Sequence, residues 1–181
     1  MGLINNFSIE WKILPELTLR GQLGVSTTRV NSDRFYPAEH SMFNSTEFTG
    51  VEGLSRRGRY TYGSGNSFSY DGRLTLSYSK VFNEVHQLYA GFDYSISEGK
   101  TRDYTFVAEG FSNEDLSFIT NALQYEKGGT PAGGQTTDRR VGFTGNVNYT
   151  YDNRYFIDGS YRIDGSSQFG ADKRYAPFWS V

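Results

Sequence analysis

Apolar and polar side chains alternate over six separate stretches of the chain. In the first of them Phe7, Ile9 and Trp11 alternate with Ser8 and Glu10. Because successive side chains of a β-strand point to opposite faces, this period of two predicts strands with one apolar face. The pattern therefore predicts an all-β fold, an antiparallel meander of about seven to eight long strands. The alternating stretches are residues 3–13, 18–26, 68–78, 87–96, 140–149 and 155–163.

Short and long connections alternate between the predicted strands. Tight links run from Leu14 to Leu17, from Val81 to Glu84 and from Tyr151 to Arg154, and long polar stretches separate them. Outer-membrane barrels show this asymmetry, with short periplasmic turns and long external loops. Strands of ~10 residues tilted by about 45° would cover roughly 23 Å, close to the ~25 Å apolar band of such barrels. We therefore expect part of a larger transmembrane β-barrel with long external loops, near residues 31–66, 99–137 and 165–173.

One segment of the second long connection resembles a helix start. Ser112 to Asp115 has the form of a capping box, and Leu116, Ile119 and Leu123 follow at helical spacing. We expect a short amphipathic helix whose apolar side packs on the aromatic residues of the same loop. A helix that docks a partner is the alternative.

The apolar face of the strands either lines a soluble ligand-binding barrel or faces lipid outside a membrane barrel. Aromatic residues near both strand ends favour the second arrangement, because membrane barrels carry two interfacial girdles. The opposite face bears charges of both signs, including Glu10, Arg20, Asp71 and Arg73, which suits a water-filled or plugged interior. The girdle aromatics are Trp11, Tyr78, Tyr149, Tyr151 and Tyr155 near the tight turns, and Tyr70, Tyr94 and Tyr161 near the opposite ends.

Two other classes of protein fit the same pattern. One is a soluble β-barrel that binds a small apolar ligand, and the other is an outer-membrane adhesin or structural barrel.

Composition excludes further classes of protein. The 181 residues carry a formal net charge of −2 with the signs interspersed, so no basic surface for nucleic acid is expected. No apolar run approaches the ~20 residues that a membrane-spanning helix needs.

The residues that usually carry chemistry are sparse. There is no cysteine, and His40 and His86 lie in different regions without a carboxylate at metal-ligand spacing. The glycines at 63–65 are followed by neither Lys-Ser/Thr nor a helix, so they do not form a phosphate loop, and no Gly-x-Ser-x-Gly elbow occurs. We expect no enzyme, metal site or cofactor.

The most specific motifs lie in residues 151–181. They are Asn153-Arg154-Tyr155, Arg162-Ile163-Asp164-Gly165-Ser166-Ser167-Gln168-Phe169, Arg174-Tyr175 and Phe178-Trp179-Ser180. They resemble the barrel of the SusC/RagA-type TonB-dependent transporters of the Bacteroidetes outer membrane, in which a turn ending Asn-Arg-Tyr starts a strand closing on Arg-x-Asp-Gly-Ser-Ser-x-Phe. A basic-aromatic pair and Phe-Pro-Ser then follow in that family; Trp179 stands where the family more often has proline. Over residues 1–150 the resemblance rests on the rhythm of strands and loops.

The resemblance implies nutrient import across the cell outer membrane. Such transporters have a plugged barrel of about 22 strands, take up oligosaccharides or peptides with energy from the TonB complex, and are covered by a SusD-like surface lipoprotein. Because no plug domain, TonB box or signal peptide is recognisable, we expect residues 1–181 to be a partial TonB-dependent receptor β-barrel domain. Its expected partners are the SusD-like lipoprotein, the TonB complex through the absent N-terminal part, a glycan or peptide substrate, and outer-membrane lipid.

Ligand contacts, where they occur, are expected from aromatic side chains on the long loops, because sugar rings and apolar groups pack on aromatic faces. The candidate substrate-binding residues are Tyr36, Tyr62, Tyr104 and Phe169.

Overall fold

The chain folds into one antiparallel sheet. The computed structural model describes residues 1–113, 115–168 and 174–181, and within them eight strands form the order β1-β2-β3-β4-β6-β7-β8, with the short β5 paired to β4. Strands that are neighbours in the chain are thus neighbours in the sheet, which confirms the predicted all-β meander. The strands are β1 Gly2–Leu14, β2 Leu17–Tyr36, β3 Arg59–Phe82, β4 His86–Glu109, β5 Gln124–Tyr125, β6 Ala132–Tyr151, β7 Tyr155–Ser166 and β8 Tyr175–Ser180.

Helical structure in these residues is confined to the connections. One α-helix, α1, spans Gly50–Ser55, and single 3-10 turns form at Ser41–Phe43, Thr46–Phe48 and Ile119–Asn121. Throughout the described ranges, no helix has the length and apolar character needed to cross a membrane.

The helix predicted after Ser112 was wrong: the 3-10 turn at Ile119–Asn121 takes its place. The Asn113 side chain accepts a hydrogen bond of 2.9 Å from the Asp115 amide. Such a local side-chain bond offers the backbone an alternative to the helix. Glu114, the acidic member of the predicted capping box, lies outside the described residues.

Two of the three tight links, at residues 81–84 and 151–154, are reversals that contain left-handed backbone. Asn83 and Glu84 have φ of 48° and 61°, and Asp152 and Asn153 have φ of 50° and 54°. Two successive positive φ values are what a type I′ turn requires, and its twist matches that of the strands it joins. In the second of these turns the Arg154 amide donates to the Tyr151 carbonyl over 3.0 Å.

The strands are much longer than predicted from their alternation. β3 and β4 each contain 24 residues, and β2 and β6 each contain 20. The reason is that backbone N–H and C=O groups pair between strands whatever the side chains are. The ladder therefore continues where the alternation fades, and the first two long connections shrink to residues 37–58 and 110–131.

The chain divides into two compact parts. The loop part contains residue 1 and residues 28–67 and 101–135, and the sheet part contains residues 2–27, 68–100 and 136–181. Buried apolar side chains are found in the loop part, where Phe43, Tyr60, Ala108 and Phe111 form a small core. The sheet part has no equivalent core among its described residues.

In the sheet part, the two faces of the sheet are those that the alternation predicts. In the β6–β7 register Phe143 is opposite Ile163 and Tyr149 is opposite Ile157, whereas Thr144 is opposite Arg162. Apolar positions therefore meet apolar positions across the ladder, and polar positions meet polar ones. We call these sides the apolar face and the polar face.

The apolar face is open to the surroundings. Leu23, Leu76, Phe92 and Val147 remain 44%, 37%, 47% and 49% exposed. Exposed apolar residues of this size, repeated over several neighbouring strands, form a surface that a soluble protein would cover.

Side chains on the polar face lie close to glycines of the neighbouring strand. A Cβ added to Gly24 would lie 2.6 Å from Asp71 Oδ1, and one added to Gly91 would lie 2.4 Å from Asn146 Oδ1. On the apolar face, a Cβ at Gly145 or Gly159 would meet nothing within 4 Å, whereas one at Gly21 would lie 3.1 Å from Ile9 and one at Gly72 would lie 3.2 Å from Ile96.

Candidate functional site

Aromatic rings join the strands of the loop part. Phe111, which follows β4, contacts the edge of Phe35 at 5.0 Å between ring centroids and lies 6.3 Å from Tyr60. The Tyr60 hydroxyl donates to the Asp33 carboxylate, and this bond, together with burial, raises the pKa of Tyr60. Because Tyr60 and Phe111 are buried, these rings hold the loop part together and offer no face to a ligand.

A buried ion pair connects the first long connection to the end of β4. Arg56 donates from Nε to Glu109 Oε1 over 2.8 Å and from Nη2 to Glu109 Oε2 over 3.2 Å. Their side chains are only 8% and 4% exposed. Two parallel bonds between a guanidinium and a carboxylate fix the orientation of both groups. The second Nη2 contact of Arg56 is with Glu47 Oε1 at 3.2 Å.

Glu109 also connects to the second long connection. Its Oε1 accepts hydrogen bonds from Gln124 Nε2 over 2.9 Å and from the Lys127 amide over 3.0 Å. Burial acts to raise the pKa of Glu109, but the hydrogen bonds from Arg56, Gln124 and Lys127 outweigh burial and leave the pKa below its ordinary value. One carboxylate therefore joins two loops to a strand end.

Three of the candidate aromatic residues lie in the loop part. The Tyr36 and His40 rings meet edge to face with 4.7 Å between their centroids, and Tyr62 lies 6.4 Å from Phe106. Tyr104 remains 45% exposed. That these tyrosines contact a ligand stays a prediction. The fourth candidate, Phe169, lies outside the described residues.

A concavity of about 710 Å³ opens on the polar face of the sheet part. Polar-face residues of five neighbouring strands line it. The alternation predicted that Asp71, Arg73, Arg140 and Arg162 lie on the polar face, but it did not predict a cavity. The available signal was the spacing of two residues between Asp71 and Arg73 and between Arg162 and Asp164, which places each pair on one face of its strand. The lining side chains with charge are Asp71, Arg73, Arg140, Arg162 and Asp164.

Polar-face side chains pair with one another across and along the strands. Arg162 Nε donates to Asp164 Oδ2 over 2.7 Å, and Arg20 Nη2 lies 2.5 Å from Glu10 Oε2. The Thr75 hydroxyl donates to Asp93 over 2.6 Å. Within the described ranges, no three His, Cys, Asp or Glu side chains are arranged to hold a metal ion. The chemistry of this face is therefore hydrogen bonding and charge recognition.

Solved structures of a transporter share this fold. The structure of the RagAB peptide transporter matches with a TM-score of 0.84 at 21% sequence identity, over 98% of this chain. The RagAB peptide importer in its 'closed-closed' and 'open-open' states matches with TM-scores of 0.80 and 0.79, each at 23% identity and over 98% of this chain. The chain has the fold of part of the RagAB structures. The predicted likeness to a RagA-type barrel is thus confirmed at the level of the fold.

The match covers only a part of each RagAB chain. It extends over 19%, 19% and 18% of the three matched chains, so this chain spans about a fifth of their length. No family model and no curated protein matches the sequence. The three structures compared above are those of a peptide transporter and a peptide importer.

Replacing Glu109 by Gln tests the connection between the two loops. Because the folded-state pKa of Glu109 is lowered, its ionised form stabilises the loop part above the ordinary pKa, and this contribution is lost as pH falls through the lowered value. We expect hydrogen-exchange protection of residues 124–127 to fall on acidification in the native protein. In Glu109→Gln it should be lower at neutral pH and insensitive to acidification.

Glu52→Gln is the matched control, since Glu52 pairs with the Lys127 side chain at an exposed position. Exposed ion pairs contribute little, so this variant should keep the native protection at neutral pH. Equal protection in Glu109→Gln and Glu52→Gln would contradict the role assigned to Glu109.

Proposed function

We propose that this chain forms part of the barrel wall and the external loops of an outer-membrane importer. The observation that carries the proposal is the uncovered apolar face of the sheet part, in a chain with the fold of part of a peptide transporter. A hydrocarbon environment would stabilise this face, and the polar face would line the interior.

The strand dimensions support the same orientation. A strand of 24 residues tilted by about 45° rises about 56 Å, roughly twice the ~25 Å apolar band. The strands would therefore project beyond the membrane on the side of the long connections. The loop part, including Glu109 and Arg56, would then lie outside the membrane-spanning segments.

The finer proposals follow from the motifs in residues 151–181. We propose that residues 1–181 are a partial TonB-dependent receptor β-barrel domain of the SusC/RagA type, from a bacterium of the Bacteroidetes. The cargo would be an oligosaccharide or a peptide, the energy would come from the TonB complex, and a SusD-like surface lipoprotein would cover the external side. RagAB, the peptide importer with the same fold, supports a peptide as the cargo.

Leu23→Arg and Gln22→Arg test which face contacts lipid. Leu23 is on the apolar face, and its neighbour Gln22 lines the concavity on the polar face. An arginine facing the middle of the bilayer costs ~2 to 4 kcal/mol. In the full-length protein we expect Leu23→Arg to abolish assembly, measured as the heat-modifiable band in the outer-membrane fraction, and Gln22→Arg to assemble normally. Equal tolerance of both variants would overturn the assignment of the faces.

We also propose that Tyr36, Tyr62 and Tyr104 contact cargo through their ring faces. Losing one such aromatic contact costs about 0.5 to 1.5 kcal/mol, up to roughly tenfold in affinity. Tyr62→Ala and Tyr104→Ala in the full-length protein should weaken binding of a fluorescent peptide pool or of maltohexaose, measured by anisotropy. Tyr155→Ala, an exposed aromatic at the tight-turn end of β7, is the control. Binding of both probes at native affinity by Tyr62→Ala and Tyr104→Ala would rule out ring contacts of these two residues with the cargo.

A further inference from the structure

We propose that Arg73 and Arg140 form an anion site that binds a carboxylate group of the cargo. The inference rests on the proposed function, because it assigns the cargo a chemical class, and it concerns the concavity on the polar face. Nothing in the fold requires two arginines at these positions, since the sheet is held by its backbone ladder.

The two arginines reach the same space from strands that flank β4. Arg73 lies on β3 and Arg140 on β6, and both line the concavity of about 710 Å³. Between them β4 contributes the short side chain of Ser95. A Cβ added to Gly142 of β6 would lie 2.7 Å from Ser95 Oγ. Because Ser95 and Gly142 are small, space for a ligand remains between the two guanidinium groups.

The charges of the lining are not balanced within the described residues. Arg162 is engaged by Asp164 at 2.7 Å, which accounts for one arginine and one aspartate. Neither Arg73 nor Arg140 forms an ion pair with any described carboxylate, Asp71 on the same strand included. With Arg162 and Asp164 paired, the lining still carries the two guanidinium groups of Arg73 and Arg140 and the single carboxylate of Asp71. The net charge of the lining is therefore positive, and a concave wall concentrates the electrostatic potential of that charge.

The donors present suit a carboxylate. A guanidinium offers two parallel N–H groups that match the two oxygens of a carboxylate, and such charge-assisted bonds are about twice as strong as neutral ones. A peptide always ends in such a group, and an acidic sugar carries one, whereas a neutral oligosaccharide has none. The same carboxylate could also belong to another segment of the full-length protein, and the experiment separates these sources.

The test compares a peptide acid with its amide. N-acetyl-trialanine and N-acetyl-trialanine amide are titrated by calorimetry into the full-length protein in detergent at low salt. A charge-assisted hydrogen bond is worth ~1.5 to 3 kcal/mol, so the acid should bind at least about tenfold more tightly than the amide. The double variant Arg73→Gln, Arg140→Gln should lose that preference while retaining the heat-modifiable band of the folded barrel. Arg20→Gln, which removes a polar-face arginine already paired with Glu10, should keep it.

Three outcomes overturn the anion site: equal binding of acid and amide by the folded native protein, no binding of either, or an unchanged preference in the double variant. One further result identifies another source of the carboxylate. If the native protein binds acid and amide equally, and the double variant without probe unfolds at a lower temperature than the native protein, the two arginines bind a carboxylate of the protein itself, and the anion site for cargo is overturned. Fractionation distinguishes the two proposals. A preference for the acid in a protein absent from the outer membrane sustains the anion site and refutes the importer.

Discussion

Apolar surface that faces water is unfavourable by ~25 cal/mol per Å², and in this protein one whole face of the sheet part is apolar and exposed. Other β proteins bury such a face against a second sheet, a helix layer or the inside of their own barrel. The opposite face of this sheet carries charged and amide side chains. In the proposed outer-membrane orientation, hydrocarbon would cover that face and the polar face would line the interior.

The two compact parts of the chain are stabilised by different interactions. In the sheet part, long backbone ladders and tight turns hold the strands, and side chains on either face remain available for lipid or solute. The loop part has its own small core around Phe43 and Phe111 and a buried carboxylate, Glu109, that bonds to Arg56, Gln124 and the Lys127 amide. Loops fixed in this way present a defined surface, which recognition of a cargo or of a covering partner requires.

The sheet could be predicted well from the sequence, because the faces of a strand and the positions of tight turns depend on residues that are close together in the chain. Alternation identified the faces of β6 and β7 residue by residue, and Asp152-Asn153 identified a turn. Strand ends were underestimated because backbone pairing continues without an apolar signal, as at residues 101–109 of β4. The short turn at Ile119–Asn121 was mistaken for a helix because apolar spacing alone does not reveal the local bond from Asp115 to Asn113.

The candidate site was less predictable for a physical reason. Arg73 and Arg140 are far apart in the chain, and the strand order brings them to one concavity because β3 and β6 both flank β4. The pairing of Arg56 with Glu109 likewise joins positions separated by 53 residues. Patterns with a period of two carry no information on such contacts. The loop aromatics could be recognised as candidates from their residue type, but the rings that they contact depend on how the loops fold.

Spin-label accessibility along β3 measures directly which medium each face contacts. The 181 residues contain no cysteine, and single cysteines are placed at Leu74, Thr75, Leu76 and Ser77 of the full-length protein in lipid, with any cysteine elsewhere in it replaced by serine, so that each variant carries one label. Labels at Leu74 and Leu76 should collide with oxygen dissolved in hydrocarbon, and those at Thr75 and Ser77 with a water-soluble nickel complex. The opposite alternation, or uniform access to nickel at all four positions, would contradict a lipid-facing apolar surface.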